Sequence, residues 1–382
     1  MISARGEQRV RGGHPWIYRA DVVDVDADGG DIVQVIGPRK RTIGQALFSD
    51  RSQIPIRMLT LGDEPAGETL LRSRLQRAIE YRASLQLDAT AYRLVHGEAD
   101  LLPSLVIDRY ADYLVVQALS QGMDRLLPTI TAVLQDMLAP AGILARNDPK
   151  VRALEGLEQT IRDLAGAIPD TVTVREGPIE YQVDLRRGQK TGLFLDQREN
   201  REAATRYARG RMLDAFSYHG GFALRLARQC TDAEAIDISA DAVQRIHVNA
   251  ARNGVPHLKA REENVFDALR RLEKSGARYE TIVLDPPAFA KSKTAIPKAI
   301  SGYKEINLRA LKLLKPGGFL TTCSCSYHVN EGMFGELILD AALDARVDVS
   351  VVEKRMQGRD HPVVLGMPET YYLKCFILRK LA

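Results

Sequence analysis

The chain has 382 residues, 45% hydrophobic and 27% charged, with a net charge of +4. This leaves room for two or three domains of ordinary soluble composition. It excludes a bundle of membrane spans, because no apolar run approaches about 20 residues, and the mild basic excess permits nucleic-acid binding without demanding it. The start, Met1-Ile-Ser-Ala-Arg-Gly-Glu7, lacks a signal-peptide core. Cys230, Cys323, Cys325 and Cys375 show no Cys-x-x-Cys or Cys/His ligand spacing. The expectation is a cytoplasmic protein with free thiols and no metal site.

Residues 1–70 read as a small β domain, with strands near Ile32–Ile36, Thr42–Phe48 and Ile54–Leu59 and turns at Gly29-Gly30 and Gly37-Pro38. Arg39, Lys40 and Arg41 fall on a hairpin tip, a solvated turn or a phosphate contact. Trp16 reads as a core or domain-contact residue. Residues 71–185 are mixed: a helix over 69–87, a strand pair at Ser104–Asp108 and Tyr113–Leu119, a helix near Asp124–Leu138, a strand near Ile143–Arg146, and a hairpin turning at Glu176-Gly177-Pro178. Nothing there is chemically distinctive, and His96 reads as structural.

From about Arg186 strands and helices alternate, the pattern of a parallel α/β sheet. Arg211–Phe216 is a strand, Ser217-Tyr-His-Gly-Gly-Phe222 a glycine turn, and Phe222–Arg228 a helix. Glu234–Ile238 is the second strand, Ser239 caps the next helix, and Leu258–Arg261 is a third strand followed by Asn264. The fourth and fifth strands are Thr281–Asp285 and Phe319–Ser324, and Val347–Val352 and Tyr371–Leu378 complete the sheet. The turn lacks the spacing G-x-G-x-x-G, so a dinucleotide site loses support. Asp214 ends strand one, and Asp237, ending strand two, is placed to accept from ribose hydroxyls. Asn264 can bind an adenine edge. With no phosphate loop, the ligand reads as a nucleoside without phosphates, and S-adenosylmethionine fits.

Two strand ends carry reactive groups. Asp285 is followed by Pro286 and Pro287, which cannot continue a central strand. Cys323 and Cys325, at i and i+2, point to one side if their strand persists. Alone, a strand cysteine is a small buried hydrophobe and an Asp-Pro-Pro only a strand exit. Together, at the carboxyl edge of an open sheet, they make a reaction centre.

The chain resembles the bacterial 23S ribosomal RNA cytosine-C5 methyltransferases that carry an N-terminal PUA domain. The matching pieces include His14-Pro-Trp16, Gly97-Glu-Ala-Asp-Leu-Leu-Pro103, Ile107-Asp-Arg-Tyr110, Lys190-Thr-Gly-Leu-Phe-Leu-Asp-Gln-Arg198, Phe216-Ser-Tyr-His-Gly-Gly-Phe222, Asp285-Pro-Pro-Ala-Phe289, Gly302-Tyr-Lys-Glu-Ile-Asn307, Ser324-Cys-Ser326 and His361-Pro362. The resemblance implies a PUA RNA-binding barrel over 1–70, a linking α/β domain over 71–185, and a Rossmann-like methyltransferase domain over 186–382 whose last strand is antiparallel. It implies S-adenosylmethionine as cofactor, held by Gln197, Asp214, Phe216, Ser217, Tyr218, His219, Gly220, Gly221, Asp237, Ile238, Asn264, Val265, Asp285 and Pro286. It also implies 23S ribosomal RNA or a large-subunit precursor as partner, and a homodimer. His219 departs from a threonine expected there. Pro287-Ala288 stands where other RNA cytosine-C5 methyltransferases have Pro-Cys, so no cysteine comes from that loop.

On this reading Cys325, in the Ser-Cys-Ser position, adds to carbon 6 of cytosine and makes carbon 5 nucleophilic. Cys323 is the runner-up. Asp285 holds the base, which must leave its stack, and His328 or a water takes the carbon-5 proton. Arg39, Lys40, Arg41, Arg186, Lys190, Lys291 and Lys293 are the phosphate contacts. The Asp-Pro-Pro segment with Phe289 also resembles the Asn/Asp-Pro-Pro-Tyr/Phe motif of amino-methyltransferases, which need no cysteine. A non-catalytic RNA-binding assembly factor is the reading from another class.

Overall fold

The computed structural model describes residues 1–290 and 292–381. The expected Lys291 contact therefore lies outside the described residues. Two compact units are interleaved along the chain: one takes Met1–Arg175, Val183–Leu195 and Arg359–Thr370, the other Glu176–Gln182, Asp196–Gly358 and Tyr371–Ala382.

The first unit opens with a helix, Ala4–Arg11, capped by Ser3, whose hydroxyl accepts from Gly6 N at 3.1 Å. An antiparallel sheet follows in the order Trp16–Ile17, Ile56–Met58, Thr42–Phe48, Ile32–Ile36. Ile17, Val35, Ala46, Phe48 and Ile56 form its core. Arg39, Lys40 and Arg41 sit exposed on the turn between Ile32–Ile36 and Thr42–Phe48, as the hairpin reading expects. The unit's second sheet has the order Ala91–His96, Leu105–Tyr110, Tyr113–Ala118, Gly142–Asn147, Thr160–Gly166. Only Tyr113–Ala118 and Gly142–Asn147 run parallel, with the helix Leu127–Leu138 between them in the chain.

Residues of five resemblance motifs meet their partners inside this unit. Arg93 grips Asp108 through Nε and Nη2 at 2.8 and 3.0 Å, and Thr191 Oγ1 donates to the same carboxylate at 2.6 Å. Tyr110 and Thr191 hydroxyls lie 2.9 Å apart, and Tyr110 Oη accepts from Leu193 N at 3.0 Å. The His96 and His361 rings meet at 5.1 Å. Burial, then the Arg93 charge, holds the His96 imidazole well below its usual range, so it stays neutral. His96 is structural, as its sequence context suggests. A buried polar network of this kind is stable only when every member is satisfied. Trp16 donates through Nε1 to Glu98 at 2.9 Å, a contact within the unit.

The second unit is built on seven strands: β1 (Arg211–Ala215), β2 (Asp232–Asp237), β3 (Leu258–Glu262), β4 (Tyr279–Leu284), β5 (Leu314–Ser324), β6 (Val349–Arg355) and β7 (Lys374–Lys380). Their order is β3-β2-β1-β4-β5-β7-β6, with β7 antiparallel to both neighbours. The helices are α1 (Arg198–Thr205), α2 (Gly221–Ala227), α3 (Ala240–Arg252), α4 (Val265–Lys274), α5 (Ile296–Leu313) and α6 (Glu331–Ala345). Strands sandwiched by helices need apolar side chains on both faces, which is why Ile282, Val283 and Leu284 form an unbroken buried run. Tyr279, Leu284, Tyr303, Leu320, Phe334 and Phe376 belong to the main core. Order reverses at β1, whose neighbours β2 and β4 lead to opposite edges. Ligands of such sheets bind at that switch point, beyond the strands' carboxyl ends.

Candidate active site

The turn after β1 is shaped by its backbone. Phe216, Tyr218 and Gly220 have φ of 65°, 49° and 82°. Two non-glycine residues in the left-handed region within three positions mark a strained turn. Gly220 meets its φ at no steric cost. Gly221 serves packing: a Cβ there would lie 3.2 Å from Arg201 Cδ, so its space is filled by the protein itself. Arg201 is in turn held by Glu176, with Nε donating to Oε1 at 2.9 Å.

Asp214, the last residue but one of β1, is almost wholly buried. One carboxylate oxygen accepts from Ser217 Oγ at 2.6 Å and Ala223 N at 2.9 Å, and the other, Oδ1, has no partner. Burial, with the nearby Asp285 charge, pushes its pKa up to about 7, against the opposing bond from Ser217. Asp237 closes β2, accepting from Tyr218 N at 2.8 Å and Ser239 N at 3.0 Å. Ser239 caps α3 as expected. Ile238 is 67% exposed, an apolar side chain left uncovered at this edge. His219 is buried, its ring stacked 3.7 Å from Tyr218. Asn264 behaves differently from a simple edge binder. Its side-chain oxygen caps α4, accepting from Phe266 N at 3.0 Å and Asp267 N at 3.4 Å. Phe216, Phe266 and Phe289 form an aromatic group with centroids 6.0 to 6.4 Å apart.

β4 stops at Leu284, so Asp285 is the first residue past it. Gln197 Nε2 donates to Asp285 Oδ1 at 2.8 Å, and Asn200 Nδ2 donates to Gln197 Oε1 at 2.7 Å. Gln197 thus orients the acid. β5 ends at Ser324, so Cys325 lies one residue beyond the strand, and the expected shared face of the two cysteines is lost. Cys323 is wholly buried opposite Cys375 of β7. Burial, then the Cys375 thiol, raises its pKa well above the usual range, and it stays a thiol. Cys325 is partly exposed, and its Sγ donates to Pro286 O at 3.8 Å.

Ser326 ties the two strand ends together, its hydroxyl accepting from Ala290 N at 3.0 Å and meeting Tyr303 Oη at 3.0 Å. Tyr303 and Asn307 explain the Gly302–Asn307 segment, since Asn307 Nδ2 donates to Tyr303 O at 2.8 Å. His328 is half-buried with its ring 5.2 Å from Tyr327. Among the phosphate candidates, Lys190 is exposed with Nζ 4.5 Å over Phe194, and Lys293 is exposed in the turn Lys293–Ala295. Arg186, expected as a phosphate contact, engages both oxygens of Asp163 at 2.7 and 2.8 Å. Pairs at this exposure are worth little to stability. No group of residues suited to a metal ion occurs among the described residues, and no helix there is long and apolar enough to cross a membrane.

The strand order, the left-handed turn after β1 and the acids ending β1 and β2 define a Rossmann-like enzyme domain for a nucleoside cofactor. Comparison with known proteins specifies the class. Residues 108–364 match the family of S-adenosylmethionine-dependent methyltransferases, and residues 1–61 match a PUA-like domain. "Ribosomal RNA large subunit methyltransferase I" of Shewanella denitrificans is 38% identical over 96% of this chain and 95% of its own length. The protein of the same name from Klebsiella pneumoniae strain 342 is 36% identical over 99% and 98%. The chain belongs to this methyltransferase family and is an S-adenosylmethionine-dependent enzyme. In fold it is similar to a candidate SAM-dependent methyltransferase of Streptococcus mutans, with a TM-score of 0.84 at 19% identity over 99% of this chain and 100% of that one. A candidate methyltransferase solved with SAH gives 0.85 at 19% identity over 99% of each chain.

Two contributors were not assigned from sequence. Lys374, a charged residue inside the apolar run 371–378, is 1% exposed on β7. Tyr303 belongs to a quoted motif, yet only the fold brings it to Ser326.

Proposed function

We propose that the chain methylates carbon 5 of a cytosine in large-subunit ribosomal RNA through a covalent bond to Cys325. One observation carries this: of the two Ser-Cys-Ser-region thiols, Cys325 alone reaches the surface, and it does so against the Asp285-Pro286 strand exit. The relatives' names support the substrate, and the PUA-like module with exposed Arg39, Lys40 and Arg41 supports RNA contact. The resemblance supports a homodimer acting in the cytoplasm.

The residues present fit the cofactor. The unpartnered Asp214 Oδ1 suits the ligand's ammonium, Asp237 retains acceptor capacity for ribose hydroxyls, and exposed Ile238 offers an apolar face to a base. When bound, S-adenosylmethionine supplies an electrophilic methyl group. Asp285, fixed by Gln197, accepts from the cytosine exocyclic amine and favours a proton on N3. The Cys325 thiolate adds to carbon 6, which raises electron density at carbon 5. After methylation His328 or a water takes the carbon-5 proton, the S–C6 bond breaks and the thiolate returns. Nuclease digestion of the methylated RNA tests the product: 5-methylcytidine is expected, and N4-methylcytidine would make the enzyme an amino-methyltransferase.

Asp214 gives a pH prediction. Its folded pKa of about 7 lies above the ordinary carboxylate value. The folded state therefore holds a proton that the unfolded state has lost between about pH 4 and 7, and stability falls as pH rises through that window. A ligand ammonium prefers the ionised carboxylate. Titration calorimetry should show S-adenosylmethionine binding tighten up to about tenfold between pH 6 and 8, and Asp214→Asn should flatten the dependence. A pH-independent affinity in the unmutated protein would remove Asp214 from the ammonium's site.

A further inference from the structure

Lys374 is the first residue of β7, in register with Ser324 at the end of β5. Its ammonium is buried and donates to Ser326 O at 2.7 Å and Tyr372 O at 2.8 Å. Among the described residues it makes no ion pair with a carboxylate. A buried cation bonded only to neutral carbonyls is costly unless another negative charge answers it. The residue next to the carbonyl it grips is Cys325. Among the described residues, the other ionisable side chains that interact with this cluster, Asp285, Tyr303, Cys323 and Cys375, carry no positive charge in any protonation state. His328 lies three residues on, outside this buried contact.

We propose that Lys374 is the counter-charge of the Cys325 thiolate, a positioning residue that fixes the Ser326 carbonyl and holds the sulfur ionised for attack. This rests on the reading of Cys325 as nucleophile. The Cys325 S–H ionises, its proton passes to solvent, and the sulfur electron pair forms the S–C6 bond. When that bond breaks, the thiolate is again paired with the ammonium. Burial pushes Lys374 down to about 8, and a Cys325 negative charge pushes it back up, the reciprocity of an ion pair.

Iodoacetamide alkylation of Cys325, followed by peptide mass spectrometry across pH, tests the pair. Lys374→Gln keeps an N–H donor for Ser326 O but removes the charge. It should raise the alkylation midpoint by about one pH unit or more. Alkylation at pH 7 and kcat should each fall about three- to tenfold, with KM for RNA unchanged. A folded Lys374→Gln protein with an unmoved midpoint overturns the proposal. If that variant does not fold, the thiolate absorbance near 240 nm of the unmutated protein minus that of Cys325→Ser decides. A step below about pH 8 supports the pair, and one at or above the free-thiol value of about 8.5 overturns it. An RNA adduct at Cys325 with an unmoved midpoint would sink the ion pair alone. A shifted midpoint with no adduct would sink the nucleophile and leave the pair.

Discussion

Cys325→Ala is expected to lower methyl transfer to large-subunit ribosomal RNA by at least about a thousandfold while S-adenosylmethionine binding stays unchanged. The cysteine lies one residue past the end of β5, beside Pro286 O, and is not part of the turn after β1 or the end of β2. Its loss removes the covalent step and leaves the cofactor turn intact. Cys323→Ala should behave in the opposite way. That thiol is buried against β7 opposite Cys375, so truncation opens a small cavity and costs about 1–2 kcal/mol of stability with the reaction retained. Single-turnover transfer and thermal melting on both variants separate the roles. A Cys323→Ala enzyme that is folded and dead, beside an active Cys325→Ala enzyme, would exchange the two assignments.

Asp285→Asn is expected to reduce kcat by about 10²- to 10⁴-fold with a much smaller change in KM for RNA. The carboxylate is the first residue after β4, and Gln197 Nε2 holds one oxygen. An amide is nearly isosteric but carries no charge, so it stabilises protonated N3 far less as the adduct forms. It must also turn its oxygen toward Gln197, which presents its NH2 to the substrate amine. Stopped-time assays at saturating RNA measure the kcat loss. Full activity in Asp285→Asn would leave Asp285 as a strand exit and nothing more.

Much of the second unit was legible because buried parallel strands are apolar on both faces and end at distinctive residues. Asp214, Asp237 and Asp285 fall where the strand runs stop, and the antiparallel last strand follows the resemblance. Other features depend on context that a linear pattern does not carry. The strand Thr160–Gly166 is mostly exposed or half-buried at a sheet edge, so its residues show no period-two signal. The helix Ala4–Arg11 has few apolar residues and is set by the Ser3 cap. Asn264 reads from sequence as an adenine-edge binder, and the structure shows its side chain capping α4. Arg186 reads from sequence as a phosphate contact, and only the fold shows Asp163, 23 positions away, paired with it. The termination of β5 before Cys325 separates two cysteines that spacing alone would pair. Lys374 was hidden because a lysine in a strand reads as an edge residue, and only the fold shows it buried beside Ser326.

The proposed function turns on the covalent bond between Cys325 and carbon 6 of cytosine. Its most direct test incubates the protein and S-adenosylmethionine with ribosomal RNA carrying 5-fluorocytosine. Fluorine at carbon 5 cannot leave as a proton, so the S–C6 bond formed by Cys325 should persist. A denaturation-stable protein–RNA adduct that maps to Cys325 and is absent in Cys325→Ala is the expected result. Methyl transfer to ordinary RNA with no adduct on the fluorinated RNA would contradict it.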